Sequence, residues 1–375
     1  MAILLISVFG YLALRPDIAP EHPAAPAINR PDPHSAPTEQ VRPGWWESRR
    51  AIYYNIPARV LFREPENGHS PDALAQIAWA EFERVGKIFN PSDPGSEISR
   101  LNTADTDAQI PVSAGMFDAL KISRTLWEAS DGAFDPTMLP IKQIWREAVR
   151  TQTVPTNRTI TDVLSRVGFG RVRLIDEKTA VELGDTRIRF DFGGVAKGYA
   201  VDRVAGLLQE HGITAGLVQL GGEIAAFGAN DAKPWRIGIQ HPTAMDRAWG
   251  VLAARDSIRV STSGNYQQPL IITGHRFYHI FSPHTGKPVS EKILGVTTAS
   301  TDGRATSALL DGAATAITVL GVESGLRLAE HLGIEALIIK ETGNGRMAEQ
   351  MTAGFNRLLK DSAPGADAGD NSHPH

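Results

Sequence analysis

Apolar residues recur along the chain at two spacings, one helical and one alternating. In Pro71 to Phe89, Leu74, Ile77, Ala78, Phe82, Val85 and Ile88 share one face, with Asp72 near the start, and predict a helix. Met116, Phe117, Leu120, Ile122 and Leu126 predict a second from about Ala114 to Ser130. Val201, Val204, Ala205, Leu207 and Leu208 mark a third. Ala308 to Leu320 reads as a buried helix of small residues opened by Thr306-Ser307, and Leu326 to Leu332 as one more. Strands are expected over Ala51 to Phe62, Arg187 to Phe190, Leu217 to Phe227, Trp235 to Ile239, Ser257 to Ser261, Tyr278 to Phe281, Leu294 to Ser300 and Ala336 to Lys340. Pro57 marks the first of these as an edge strand or a bulge. The pair Gly221-Gly222 inside Leu217 to Phe227 signals a bulge or a close approach. Asn90 to Gly95 breaks the first helix. Ser96 to Asn102 reads as a short polar turn and Asp131 to Pro140 as a loop. Strands in mixed order with helices between them give an α+β fold with largely antiparallel sheets.

The stretch Asp191-Phe-Gly-Gly-Val-Ala-Lys-Gly-Tyr-Ala-Val-Asp202 joins a predicted strand to a predicted helix. Gly193, Gly194 and Gly198 leave the backbone open to a ligand, and a helix start presents N–H groups and a positive dipole end, which suits a phosphate or pyrophosphate. Lys197 adds a point charge. The plainer reading is a tight turn with a surface lysine. The spacing matches neither a dinucleotide-binding nor a Walker glycine loop. On the buried helix, Asp311 and Thr315 lie four apart and face the same way. Either a hard cation pairs with this carboxylate and hydroxyl, or Thr315 bonds a backbone carbonyl while Asp311 is solvated.

Composition narrows the classes. At 375 residues the chain has material for a large core. A formal net charge of −4 supplies no basic surplus for nucleic acid. The absence of cysteine excludes disulfides, thiolate metal sites and a cysteine nucleophile. Residues 1–14 carry no charge and have the length of a signal h-region, short of the roughly 20 residues that span a bilayer. The basic residues that should precede such a region are missing, so a core-docked helix or a truncated start stands as the alternative. Eight prolines between Pro16 and Pro43 have a linker composition. The expected division is an anchor-like segment 1–14, a linker 15–46, a globular domain 47–345, and a helix end with a disordered polar tail over 346–375. An exported protein is expected, periplasmic or anchored by residues 1–14 in the inner membrane and facing the periplasm.

Taken in order, Ser96-Glu-Ile-Ser-Arg-Leu-Asn102, Asp131-Gly-Ala-Phe-Asp-Pro-Thr137, the Asp191 to Asp202 stretch, Leu220-Gly-Gly-Glu223, Thr262-Ser-Gly264, His279-Ile-Phe-Ser-Pro-His-Thr-Gly286 and Asp311-Gly-Ala-Ala-Thr315 resemble the ApbE-type flavin transferases. The resemblance runs from about Ala51 to Lys340. It implies a flavin cleft between two lobes and transfer of FMN from FAD to a threonine or serine hydroxyl of a partner protein, with release of AMP and use of Mg²⁺. By motif, the metal ligands would be the Ala196 carbonyl, Asp311 and Thr315. Gly193, Gly194 and Lys197 would hold the pyrophosphate. Asp202, Glu223, Asp135 and Ser263 would be further FAD-binding residues, and His279 the proton acceptor beside Lys197. The partner would be an exported or membrane-bound electron-transfer protein with a flavinylation loop. Two other readings share the site: a Mg²⁺-dependent FAD pyrophosphatase giving FMN and AMP, and a non-catalytic flavin binder. Three places depart from the family pattern: Asn55-Ile-Pro57 replaces a Met-Gly-Thr turn, Asn90-Pro-Ser92 replaces a Ser-x-Tyr whose aromatic can stack on flavin, and Ser282-Pro283 replaces Asp-Pro. Trp145, Phe134 or Tyr278 are the candidates to stack instead.

Overall fold

The computed structural model describes residues 4–5 and 37–360, apart from 54, 67, 105–107, 245, 265–268 and 290–291. Most of the anchor-like segment, most of the linker and the tail from 361 lie outside these residues. The strands are β1 (Leu4–Leu5), β2 (Glu39–Arg42), β3 (Trp45–Ile52), β4 (Ile56–Arg63), β5 (Ile110–Pro111), β6 (Val172–Ile175), β7 (Ala180–Leu183), β8 (Gly216–Leu220) and β9 (Glu223–Phe227), followed by β10 (Trp235–Gln240), β11 (Ala248–Ala254), β12 (Ile258–Gly264), β13 (Leu270–Ile272), β14 (His275–Phe277), β15 (Ile293–Ser300), β16 (Glu335–Glu341) and β17 (Met347–Met351). The helices are α1 (Pro71–Phe89), α2 (Glu97–Thr103), α3 (Ala114–Ala129), α4 (Leu139–Thr151), α5 (Asn157–Leu164), α6 (Ala196–Glu210), α7 (Ser307–Leu320), α8 (Val322–Leu332) and α9 (Ala353–Lys360). The α+β reading holds, and neighbours in the main sheet are antiparallel throughout.

That sheet has nine strands in the order β17-β16-β15-β12-β9-β8-β4-β3-β2. Its central strands are buried on both faces, and alternation sorts their residues. In β4, Ala58, Val60 and Phe62 face a core shared with α1, α3, α6 and α7, while Leu61 faces the opposite core under β10, β11 and α9. In β16, Ile338 and Leu337 divide the same way. A one-residue slip would exchange the two sets, so packing fixes the register. A smaller lobe of α4, α5, β13 and β14 has its own core around Ile141, Trp145, Ile160 and Ile272.

Several expectations change. Pro57 lies in an interior strand, at its second position next to the hairpin turn, where its carbonyl accepts from Gly221 N at 2.8 Å; Gly221 O, with no proline N–H opposite, accepts from Gln219 Nε2 at 3.0 Å. Leu217 to Phe227 is two strands, with Gly221-Gly222 as a two-residue hairpin turn and Gly221 at φ 61°. Ser96 to Asn102 is no turn: Ser96 accepts from Ser99 N and starts α2. Arg187 to Phe190 makes only one bridge, Arg189 to Met138, and is held mainly by side chains. Tyr278 to Phe281 lies beyond β14. At the ends, Glu39 to Arg42 already belongs to the sheet, and 347–360 add a strand and a helix to it. No helix among the described residues is long and apolar enough to cross a membrane.

The helices that matter for function touch backbone to backbone. A Cβ on Gly198 of α6 would lie 2.2 Å from Ser307 O and 2.6 Å from Ala308 N of α7, and one on Gly312 2.3 Å from Leu126 Cδ1 of α3. Gly198→Ala should therefore force α6 and α7 apart at a cost on the order of 3 kcal/mol. Urea unfolding would show this as a lower midpoint at unchanged slope; a midpoint equal to the parent's would mean the helices have slack.

Candidate active site

Extended chain from Ile188 to Phe192 leads into the site. Ile188, Phe190 and Phe192 are buried, and the rings of Phe190 and Phe192 stack at 5.8 Å. In place of a partner strand, Asn102 brackets Phe190: its Nδ2 donates to Phe190 O at 2.8 Å and its Oδ1 accepts from Phe190 N at 2.6 Å. Asp191 N donates to Pro136 O at 2.7 Å. The glycine turn follows, and Phe192 O accepts from Val195 N and Ala196 N, both at 2.9 Å, where α6 begins. Gly193 N donates to Asp191 Oδ1 and Gly198 N to Asp311 Oδ2. Four N–H groups of the expected open cradle are thus already engaged by the protein. Gly194 remains the close approach: a Cβ there would lie 3.1 Å from the Phe134 ring and 3.2 Å from Thr315 Oγ1.

Lys197, in the first turn of α6, reaches Asp311 Oδ1 and Oδ2 at 3.1 and 3.2 Å and Glu223 Oε1 at 3.2 Å. Asp311 and Glu223 side chains are 2% and 1% exposed, so both carboxylates are removed from water and depend on this ammonium. Burial opposes the charge on Lys197, but Asp311 and Glu223 outweigh it and hold its pKa above the ordinary value. Burial pushes the Glu223 carboxyl up against the pull of Lys197, and Asp311 adds to the rise. Glu223 Oε2 is buried with no hydrogen-bond partner. Thr315 Oγ1 lies 3.4 Å from Asp311 O, so the backbone bond allowed for in the sequence is present, though Asp311 is buried instead of solvated.

A cavity of about 480 Å³ opens over this cluster. Gly193, Gly194, Ala196, Lys197, Asp311 and Thr315 form its polar wall. Trp145 and Phe281 line it from the smaller lobe side, and Tyr53, Phe89, Phe134 and Phe192 from the main core. Ser263 and His279 complete the rim. The structure therefore brings together Lys197, both turn glycines, Ala196, Asp311, Thr315, Ser263, His279 and Asp135. Two expectations need correction. Asp202 does not line the cavity: it pairs with Arg259 at 3.2 Å and accepts from Ala308 N at 3.0 Å, bracing the start of α7. Glu223 sits behind Lys197 and does not face the cavity. Asp135 reaches the wall, but its Oδ1 accepts from Thr137 N and its Oδ2 from Phe169 N, at 2.7 and 2.9 Å, which ties it to the loop. Of the stacking candidates Trp145 and Phe134 line the cavity and Tyr278 does not.

Two residues were not legible beforehand. Tyr53 stands at φ 48° in the β3–β4 turn, its hydroxyl donating to Phe82 O and its ring lying over Gly86; only an aromatic next to a turn hinted at it. Lys142 of α4 pairs with Asp191 Oδ1 at 2.6 Å.

His279 is half-buried and its Nδ1 has no partner. Burial, then Lys142 and Lys197, push its pKa from 6.5 down to about 4, so the ring is neutral at pH 7.

The family model of the ApbE family matches residues 53–338. An FAD:protein FMN transferase of Vibrio cholerae serotype O1 is 31% identical over 280 residues, covering 74% of this chain and 82% of that protein. One of Klebsiella pneumoniae is 28% identical over 279 residues, 73% of this chain and 79% of that protein. The structure of the flavin transferase ApbE from Vibrio cholerae superposes with a TM-score of 0.74 at 27% identity, over 86% of this chain and 100% of that one. The apo flavinyl transferase ApbE of Pseudomonas stutzeri gives 0.73 at 25% identity, over 86% and 97%.

The lowered pKa of His279 has a consequence for stability. Between about pH 4 and 6.5 the unfolded chain takes a proton at this residue that the folded protein refuses. Its contribution is therefore complete above pH 6.5 and is lost as pH falls toward 4. Glu223, pushed up, titrates in the opposite sense, so the comparison must be with a variant. His279→Gln should lose less stability than the parent between pH 7 and pH 5 in urea titrations. Equal losses would mean that the ring is solvated in the folded state.

Proposed function

The chain belongs to the ApbE family, and from that membership we propose that it is an FAD:protein FMN transferase, moving FMN from FAD to a threonine or serine hydroxyl of a partner protein and releasing AMP. What carries the reading is the meeting of Lys197, Asp311, Thr315 and the glycine turn on one wall of a ligand-sized cavity whose other walls are aromatic. A charged pyrophosphate and a flat ring system need these two kinds of surface side by side.

The Asp311 carboxylate, the Thr315 hydroxyl and the Ala196 carbonyl are hard oxygen donors of the kind magnesium takes, and the unpartnered Glu223 Oε2 behind them is polarity that a nearby cation offsets. These three residues would hold Mg²⁺, which when bound supplies positive charge against the pyrophosphate. Lys197 draws the phosphates to the turn, and Gly193 and Gly194 let the backbone approach them. The aromatic walls keep out water, the competing nucleophile. The acceptor hydroxyl oxygen bonds to the FMN phosphorus while the bond from that phosphorus to the bridging oxygen breaks, and AMP leaves with the electron pair. The hydroxyl proton passes to the neutral imidazole of His279. We place the protein outside the cytoplasm, periplasmic or anchored at the inner membrane, on the charge-free residues 1–14 and the proline-rich stretch after them.

The purified chain, given FAD, Mg²⁺ and an acceptor domain with a Thr-Gly-Ala-Thr loop, should add one FMN to the acceptor with matching AMP. AMP and free FMN without a labelled acceptor would favour the pyrophosphatase, and bound FAD with no AMP a non-catalytic binder. Asp311→Ala and Thr315→Val should each lower Mg²⁺-dependent turnover by about 100-fold or more while the protein stays folded. Full turnover in either variant would remove that residue from the metal site.

A further inference from the structure

The glycine turn has a second cation, delivered from the other lobe. Lys142 lies on α4, whose neighbours Ile141 and Trp145 anchor the smaller core. Its ammonium is 3.7 Å from where a side chain on Gly193 would begin, on the side of the turn that faces the cavity. One of its three donors goes to Asp191 Oδ1 at 2.6 Å, and the same oxygen accepts from Gly193 N at 2.9 Å. The lysine side chain is 30% exposed and Asp191 8% exposed, so the carboxylate is buried under an ammonium that keeps access to the cavity. Arg146, one helical turn further along α4, is exposed at the cavity mouth and adds to the positive field felt by Asp191.

We propose that Lys142, supported by Arg146, is a substrate-binding residue: its free donors hold the phosphates of the flavin dinucleotide from the side opposite Lys197, so that the pyrophosphate bridges the two lobes. The proposal rests on the flavin-nucleotide reading above. A lysine whose whole task was to neutralise Asp191 would not need to face the cavity, nor to stand over the turn's open side.

The test is equilibrium binding of FAD and of riboflavin, which has no phosphate, to the full chain, followed by quenching of flavin fluorescence at low and moderate salt. Lys142→Met should weaken FAD by about tenfold or more, flatten its salt dependence, and leave riboflavin unchanged. Lys142→Arg should restore most of the loss. Arg146→Met, at an exposed position where folding is not at stake, should weaken FAD by about threefold. FAD binding unchanged in Lys142→Met, or FAD and riboflavin weakened by the same factor with the salt slope intact, would overturn the proposal and leave the lysine as a brace for Asp191. A parent protein that binds neither flavin would instead overturn the reading on which the proposal rests.

Discussion

Two buried carboxylates, Asp311 and Glu223, share one ammonium, and the rest of the site is arranged around that imbalance. Neither acid could stay buried and ionised alone, because the desolvation cost of each is several kcal/mol. Lys197 meets Asp311 because α6 and α7 touch at Gly198 and Ser307, a contact that requires the missing side chain at Gly198, while Glu223 comes from the start of β9. Asp202 contributes from below by bonding Ala308 N and Arg259. Thr306 caps the same helix start by accepting from Leu309 N. The small residues of α7 are therefore a condition of the charge cluster as well as of the core.

The glycine turn beside this cluster is restrained from several directions at once. Asn102 brackets Phe190, Pro136 O takes Asp191 N, Phe192 O takes two N–H groups at the start of α6, and Lys142 reaches across from the smaller lobe to Asp191. A turn fixed in this way carries little reorganisation cost when a ligand arrives. It also gives α2, a short polar helix far in sequence from the turn, its contact with the site through Asn102.

The sequence made the fold legible where a single period held. The faces of α1 and α3 and the alternation of Ser257 to Ser261 read directly from apolar spacing, and the apolar runs of β15 and β16 read as strands because they are buried. It was misleading where a turn or a partner intervened. The hairpin at Gly221-Gly222 looked like one strand because both halves are apolar, being buried on both faces. The helix Leu139–Thr151 was hidden behind a proline that sits harmlessly in its first turn. Lys197, Asp311 and Thr315, which line one wall of the cavity, stood out in the sequence as residue types at a telling spacing. Asp202, within the same motif, proved structural, since nothing local says which side of α6 a carboxylate faces. Lys142 could not be found, because its partner is 49 positions away and on the other lobe.

Charge balance bears on the proposed metal. Around the cavity and the turn stand three cations, Lys142, Arg146 and Lys197, and four carboxylates, Asp135, Asp191, Asp311 and Glu223. With every group ionised the protein presents no positive charge to an incoming pyrophosphate. Burial raises Glu223, and a proton there brings the sum only to neutrality. A dianion seated among apolar walls needs more than this, because at low local dielectric an unmatched charge is far more costly than in water. The proposed Mg²⁺ would supply that balance from Asp311 and Thr315, which line the cavity at the turn next to Lys197 and offer only oxygen donors. In the function we propose, a divalent cation held there would bring two positive charges to the pyrophosphate, with His279, neutral, as the proposed proton acceptor.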